Sequence, residues 1–281
     1  MKLHFTKMHG IGNDFIVLDH TKSPFQLTQE IIQSLSHRQL GIGFDQLLVV
    51  ENTTLKDVDF KYRIFNQDGG EVEQCGNGAR CFYRFVKDKH LTTKESIRVE
   101  TKSGVITLTE DHKHMIEVNM GEPIFNPKLI PFISDTEKNE YSISIELPDQ
   151  KEMINVAVLS MGNPHIVITV EDIDKARVKT LGAYLESHPL FPKRVNVGFM
   201  KIVTPHHVRL RVFERGVGET LACGTGACAA VVSGIKRDLL ISPVKVDMPG
   251  GSISIDWKGD KNSVMMKGPA VTLFEGDIEI T

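Results

Sequence analysis

The stretch FNQDGGEVEQCGNGA (residues 65–79) returns downstream as FERGVGETLACGTGA (residues 213–227). Phe, Gly, Glu, Cys, Gly, Gly and Ala coincide at an offset of 148 residues, from Cys75 to Cys223. Three further blocks keep the same order. GNDFIV from Gly12 answers GNPHIV from Gly162 (offset 150), and GFDQLLV from Gly43 answers GFMKIV from Gly198 (offset 155). RVETKSGVITL from Arg98 answers KVDMPGGSISI from Lys245 (offset 147). Four ordered blocks at nearly one spacing mark an internal duplication, and that organises the reading of single elements. The chain reads as two copies of one domain, residues 1–122 and 123–268, with a last strand in 269–281 returning to the first copy. Residues 125–140, with two prolines and many polar side chains, are the expected crossing between copies.

Each copy reads as strands around one helix. RVETKSGVITLTE and KVDMPGGSISIDW alternate apolar and polar residues on both sides of a Gly-containing turn, the pattern of a hairpin. Val208, Leu210 and Val212 alternate in a further strand, and Val271 with Leu273 marks a late one. After Cys75 the spacing becomes helical: Ala79, Phe82 and Val86 share a face, with Phe85 beside them. After Cys223, Ala227, Ala229, Ala230, Val231 and Val232 are small or apolar all round, so that helix is expected to be buried. Another amphipathic helix is expected from Thr28, carrying Ile31, Ile32 and Leu35 and stopping before Gly41. The fold class is α/β (α+β), two pseudo-symmetric domains.

Composition narrows the function. At 281 residues the chain fits one large or two medium domains, and 41% hydrophobic with 25% charged residues is ordinary for a soluble globular protein. A formal charge of −3 leaves no basic footprint, so neither nucleic acid nor a membrane is an expected partner. The opening MKLHFTKMHGIGNDF has no apolar signal-peptide core, and no apolar run approaches the roughly 20 residues that span a bilayer. Four cysteines in this length do not make a disulfide scaffold, which points to a reducing, cytoplasmic compartment.

Each Cys-Gly-x-Gly therefore sits at a helix start after a polar turn. Backbone N–H groups there converge on an anion, and the helix dipole favours thiolate over thiol. Each copy thus offers a sulfur beside a small carboxylate cradle. The plainer readings are a small core cysteine, a structural zinc site, or a dithiol redox pair. The spacings, six residues from Cys75 to Cys81 and five from Cys223 to Cys228, do not match a zinc module, and no metal is expected. Cys81 and Cys228 read as core.

MHGIGNDF, GIGFDQLL, GGEVEQCGNGARCF, MGNPH, RVNVGF and FERGVGETLACGTGACAA together resemble the diaminopimelate epimerase family over nearly the whole chain. The resemblance implies two pseudo-symmetric α/β domains, each a curved, mostly antiparallel sheet or barrel wrapped around a central helix, with substrate between them. It also implies a cytoplasmic homodimer that inverts LL-diaminopimelate to the meso isomer, in lysine and peptidoglycan synthesis, without pyridoxal phosphate or any other cofactor. Inverting an α-carbon needs proton removal on one face and delivery on the other, a task suited to two acid–base groups. Cys75 and Cys223 fill these roles, and by resemblance Cys75 serves the LL form and Cys223 the meso form.

The amides of Gly76, Asn77, Gly224 and Thr225 suit the α-carboxylate. Glu214 and Arg215 suit the distal ammonium and carboxylate, where the first copy has the uncharged Asn66 and Gln67. By resemblance Asn13, Gln46, Asn66, Asn163 and Asn196 line the site, and His165 and Glu214 tune thiol pKa. Gln67 stands where the family usually has Ala, and Phe274, near the implied dimer contact, where Tyr is common. A proline- or hydroxyproline-type racemase of the same fold and a non-enzymatic thiol or zinc module remain the alternatives.

Overall fold

A computed structural model describes residues 2–72, 75–147 and 150–280; Glu73 and Gln74 of the duplicated stretch lie outside the described residues. The chain divides into two compact units, Met1–Asn119 with Lys267–Thr281, and Met120–Met266.

In the first unit β1 (Lys2–Gly10) runs antiparallel to β2 (Asn13–Asp19). After α1 (Gln29–Ser36), β3 (Gln46–Glu51) lies parallel to β2, and β4 (Phe60–Asn66) returns antiparallel to it. The helix after Cys75 is α2 (Gly76–Asp88). β5 (Ser96–Thr101), β6 (Gly104–Glu110) and β7 (Ile116–Asn119) follow, with β5 parallel to β4 and the other pairs antiparallel. Thr28 caps α1, its Oγ1 accepting the Ile31 amide at 3.3 Å, and Ile32 and Leu35 enter a core with Ile16, Leu47 and Phe65.

The second unit repeats the plan. β8 (Tyr141–Leu147) and β9 (Gln150–Ser160) pair antiparallel, and β10 (Pro164–Thr169) joins β9 in the same sense. An unanticipated helix, α3 (Val178–Glu186), precedes β11 (Asn196–Thr204), which is parallel to β10. β12 (His207–Glu214), β13 (Gly218–Thr220), α4 (Gly224–Lys236), β14 (Val244–Met248) and β15 (Gly251–Asp256) complete it, and β16 (Met265–Gly268) spans the division after Met266. The expected late strand is β17 (Val271–Glu279), which pairs antiparallel with β1 of the first unit.

Two sequence expectations change. Residues 125–140 belong to the second unit's body: Ile130 and Phe132 are buried in its core, and Phe132 stacks on Phe191 at 4.8 Å. The offset of 155 drawn from GFDQLLV and GFMKIV gives way to 150. Leu47 pairs with Phe65 and Val197 with Phe213, so Gln46 corresponds to Asn196, each the first residue of its strand. The shared Gly-Phe dipeptide is not equivalent in the two copies, because Phe44 precedes β3 whereas Phe199 lies within β11.

Each unit wraps its strands on one helix. α2 packs against β1, β2, β3, β6, β7 and β17, and α4 against β9, β10, β11, β12 and β15. Ala227 through Val232 are all fully buried, as an all-apolar surface requires. The second glycine of each Cys-Gly-x-Gly is there for space. A Cβ at Gly78 would lie 2.4 Å from the Tyr62 hydroxyl, and one at Gly226 would lie 3.1 Å from Val212 Cγ2 and 3.2 Å from Cys223 Sγ.

Candidate active site

In the first unit the starts of β2 and β3, the end of β4 and the start of α2 come to one end of the sheet. Gly12 enters β2 at φ 90°, and Gly162 makes the matching turn before β10 at φ 89°, a left-handed conformation that glycine adopts without steric cost. The turn places Asn13 so that its Oδ1 accepts from Cys75 Sγ at 3.8 Å and from Asn77 Nδ2 at 3.4 Å. Gln46 faces Asn66 across the ladder and donates Nε2 to its Oδ1 at 2.9 Å. Gln67 donates to the Phe44 carbonyl at 2.6 Å and so pins the loop before β3.

Cys75 and Cys223 are the N-cap residues of α2 and α4, both extended (φ −140° and −129°), and neither side chain caps its own helix. The first intrahelical bonds are Ala79 N to Cys75 O and Ala227 N to Cys223 O. The N–H groups of Gly76, Asn77, Gly224 and Thr225 therefore have no intrahelical partner and point out of the helix start.

The second unit gathers Asn163, His165, Glu214, Thr220, Cys223 and Thr225. Cys223, only 4% exposed, donates Sγ to Glu214 Oε2 at 3.2 Å, and Thr220 donates to Glu214 Oε1 at 2.5 Å. Thr225 Oγ1 lies 3.6 Å from the sulfur and accepts from Asn163 Nδ2 at 3.3 Å. His165 Nε2 meets Asn163 Oδ1 at 3.0 Å, so the imidazole reaches Cys223 through two intermediaries. Asn196 spends both ends on backbone, donating to the Pro164 carbonyl at 3.1 Å and accepting the Arg215 amide at 2.9 Å. It shapes the loop that presents Arg215, whose Nη1 donates to the Lys193 carbonyl at 3.1 Å.

Electrostatics correct the expectation of a ready thiolate in this copy. Burial raises the Cys223 pKa well above its ordinary value, and the Glu214 charge adds to the rise. The Thr225 hydroxyl and the Gly226 N–H oppose the shift without reversing it. Desolvation next to a carboxylate outweighs the helix N-terminus, so Cys223 rests as a thiol. In a Cys75→Ala background, Glu214→Gln should speed alkylation of Cys223 at neutral pH, as burial stays and the neighbouring charge goes. An unchanged or slower rate, followed by mass spectrometry, would contradict this electrostatic assignment. Cys81 and Cys228 are fully buried, and burial pushes the Cys81 thiol up to about 12, in keeping with core roles.

Burial, with the Arg215 charge as a lesser cause, lowers His165 to about 3, so it is neutral. Unfolding raises its affinity for protons, so its contribution to stability is complete above pH 6.5 and is lost as pH falls toward 3. From pH 7 to pH 5 this costs about 2 kcal/mol. Urea unfolding should show that loss in the wild type, and His165→Gln should flatten it; an equal slope in both proteins would contradict it.

Comparison with known proteins settles the family. A family model described as diaminopimelate epimerase matches residues 5–126 and 157–273. The diaminopimelate epimerase of Azoarcus sp. (strain BH72) is 54% identical over 280 residues, and that of Pseudomonas aeruginosa (strain LESB58) 53%, each covering all of both chains. The chain belongs to the diaminopimelate epimerase family. Solved structures share its fold at low identity. A hydroxyproline epimerase from Agrobacterium vitis has a TM-score of 0.70 at 13% identity, covering 99% of this chain and 92% of its own. A probable proline racemase from Agrobacterium radiobacter K84 has a TM-score of 0.71 at 14% identity, covering 99% and 93%.

In this member of the diaminopimelate epimerase family, three further residues shape the site without having been singled out in the sequence. Glu186, 3% exposed, accepts the Gly216 amide at 2.8 Å and Arg194 Nη2 at 2.7 Å, anchoring the loop after Arg215. Asp45 accepts Asn13 Nδ2 at 3.0 Å, and Arg80, fully buried, donates to Asn77 Oδ1 at 2.9 Å. Asp45 and Arg80 stood inside the quoted motifs GIGFDQLL and GNGARCF, but nothing in spacing distinguished them from surface charges. Phe274 is 53% exposed on β17 and packs edge-on against Phe5 at 6.1 Å.

Proposed function

We propose that this chain interconverts LL- and meso-diaminopimelate by a two-base mechanism in which Cys75 and Cys223 act on opposite faces of the α-carbon. The observation that carries it is the duplicated N-cap cysteine, one copy of which donates to Glu214 at 3.2 Å. One sulfur removes the α-proton as thiolate while the other, as thiol, delivers a proton from the opposite side, and the roles exchange in the reverse direction. Cys223 resting as a thiol suits the proton donor when Cys75 takes the proton of the LL form. The N–H groups at the two helix starts hold the α-carboxylate and stabilise charge developing into it. These groups supply the proton transfers and the anion site, so the reaction is proposed to need no pyridoxal phosphate.

Glu214 sits beside its sulfur and can compensate the substrate's ammonium, and Arg215 supplies the fork for the distal carboxylate. We place the enzyme in the cytoplasm, in lysine and peptidoglycan synthesis, as a homodimer. β17, which exposes Val271, Leu273 and Phe274, is the proposed contact. The test is a substrate panel: LL-diaminopimelate should be epimerised while proline and 4-hydroxyproline are left unchanged. Turnover of proline in preference to diaminopimelate would replace this reading with a proline-type racemase.

A further inference from the structure

We propose that Asp45 and Arg80 are positioning residues that fix the polarity of a two-amide relay beside Cys75; the role rests on the epimerase reading above. The relay runs from Arg80 through Asn77 and Asn13 to Asp45, within the first unit. At one end stands a group that only donates. Arg80 Nη2 meets Asn77 Oδ1 at 2.9 Å, while its Nε donates to the Pro269 carbonyl at 3.1 Å. That commits the Asn77 oxygen and turns its Nδ2 to Asn13 Oδ1, 3.4 Å away. At the other end stands a group that only accepts. Asp45 Oδ2 takes Asn13 Nδ2 at 3.0 Å and the Asp14 amide at 3.1 Å, and Arg38 Nη2 holds Oδ1 at 2.7 Å.

A carboxamide has nearly the same shape with its donor and acceptor exchanged, so packing alone does not choose between the two orientations. A guanidinium at one end and a carboxylate at the other leave a single arrangement in which every bond is made. Asn13 therefore shows Cys75 and any ligand there its carbonyl oxygen, which accepts from an ammonium and repels a carboxylate. The second copy lacks this clamp: at the offsets of 148 and 150, Arg80 corresponds to Cys228 and Asp45 to Val195. There Asn163 is turned the other way, its oxygen on His165 and its Nδ2 on Thr225. The equivalent amides thus offer opposite ends to the two helix starts.

A double-mutant cycle on the full-length enzyme tests the relay. Asp45→Asn admits both amide orientations and should raise KM for diaminopimelate about tenfold with kcat within about threefold. Asn13→Asp sets two carboxylates face to face and should lower kcat/KM about 100-fold. Combining them restores one donor against one acceptor between the two side chains, with a carboxyl oxygen toward Cys75 and the Asp14 amide losing its acceptor, and should recover part of the loss, about tenfold over Asn13→Asp alone. Melting temperatures of the four proteins should show the same rescue without substrate. If Asn13→Asp alone does not fold, a folded double variant supports the pairing and an unfolded one overturns it. Additive losses in both kinetics and melting temperature would also overturn it. Failure of the wild type to turn over diaminopimelate would instead strike the proposed function, leaving the melting cycle to judge the relay.

Discussion

Cys75→Ala and Cys223→Ala are each expected to lower epimerisation about 10⁴-fold, the upper range for a positioned acid or base. Each change removes the only proton carrier proposed for one face of the α-carbon. The two losses should not multiply, since residues acting as a unit fail together. Cys228→Ala is the control. Cys228 is fully buried within α4, so its truncation should cost about 1–3 kcal/mol of stability and leave substantial turnover. Near-normal turnover in Cys75→Ala, with the protein folded, would remove the two-base mechanism.

Arg215→Lys is expected to raise KM for diaminopimelate about 30-fold, the equivalent of about 2 kcal/mol. A compact ammonium cannot reproduce a bidentate fork on the distal carboxylate. The backbone around Arg215 is already fixed, with its own amide on Asn196 and the next amide on Glu186, so little of the fork's geometry is left to chance. Asn196 and Glu186 belong to β11 and to the end of α3, so the lysine variant should keep the loop and lose only the fork. Steady-state kinetics decides this: an unaltered KM would show that Arg215 is not the distal anchor.

The duplication was the most legible feature, because one sequence block written twice carries its own register. It placed Cys75 and Cys223 at two helix starts and Asn13 and Asn163 after two matching turns. Side-chain partnership was less legible. Asn196 shared its strand-start position with Gln46, but sequence did not tell that both of its ends go to backbone atoms. Glu214 is expected both to face an ammonium and to tune a thiol; the structure sets it against Cys223, and the direction of that tuning, upward rather than toward thiolate, is what the sequence does not show. The helix dipole was visible in the sequence, whereas the burial that overrides it is a tertiary property.

Asp45 and Arg80 were hidden for a related reason. A charged residue in a motif is ordinary until its partner is known, and their partners, Asn13 and Asn77, are contributed by β2 and by the first turn of α2. α3 is hard to read from sequence because nothing marks its start: Arg177, its N-cap, makes no side-chain cap, although Val178, Leu181 and Leu185 keep a buried helical face.

Incubation with LL-diaminopimelate in D₂O tests the two-base proposal most directly. Epimerisation by opposed thiols should place solvent deuterium at the α-carbon of each newly formed meso product, while early unreacted LL substrate stays largely protiated. Inversion that carries the substrate's own α-hydrogen into the product, or exchange into the LL form running ahead of inversion, would contradict two bases working on opposite faces.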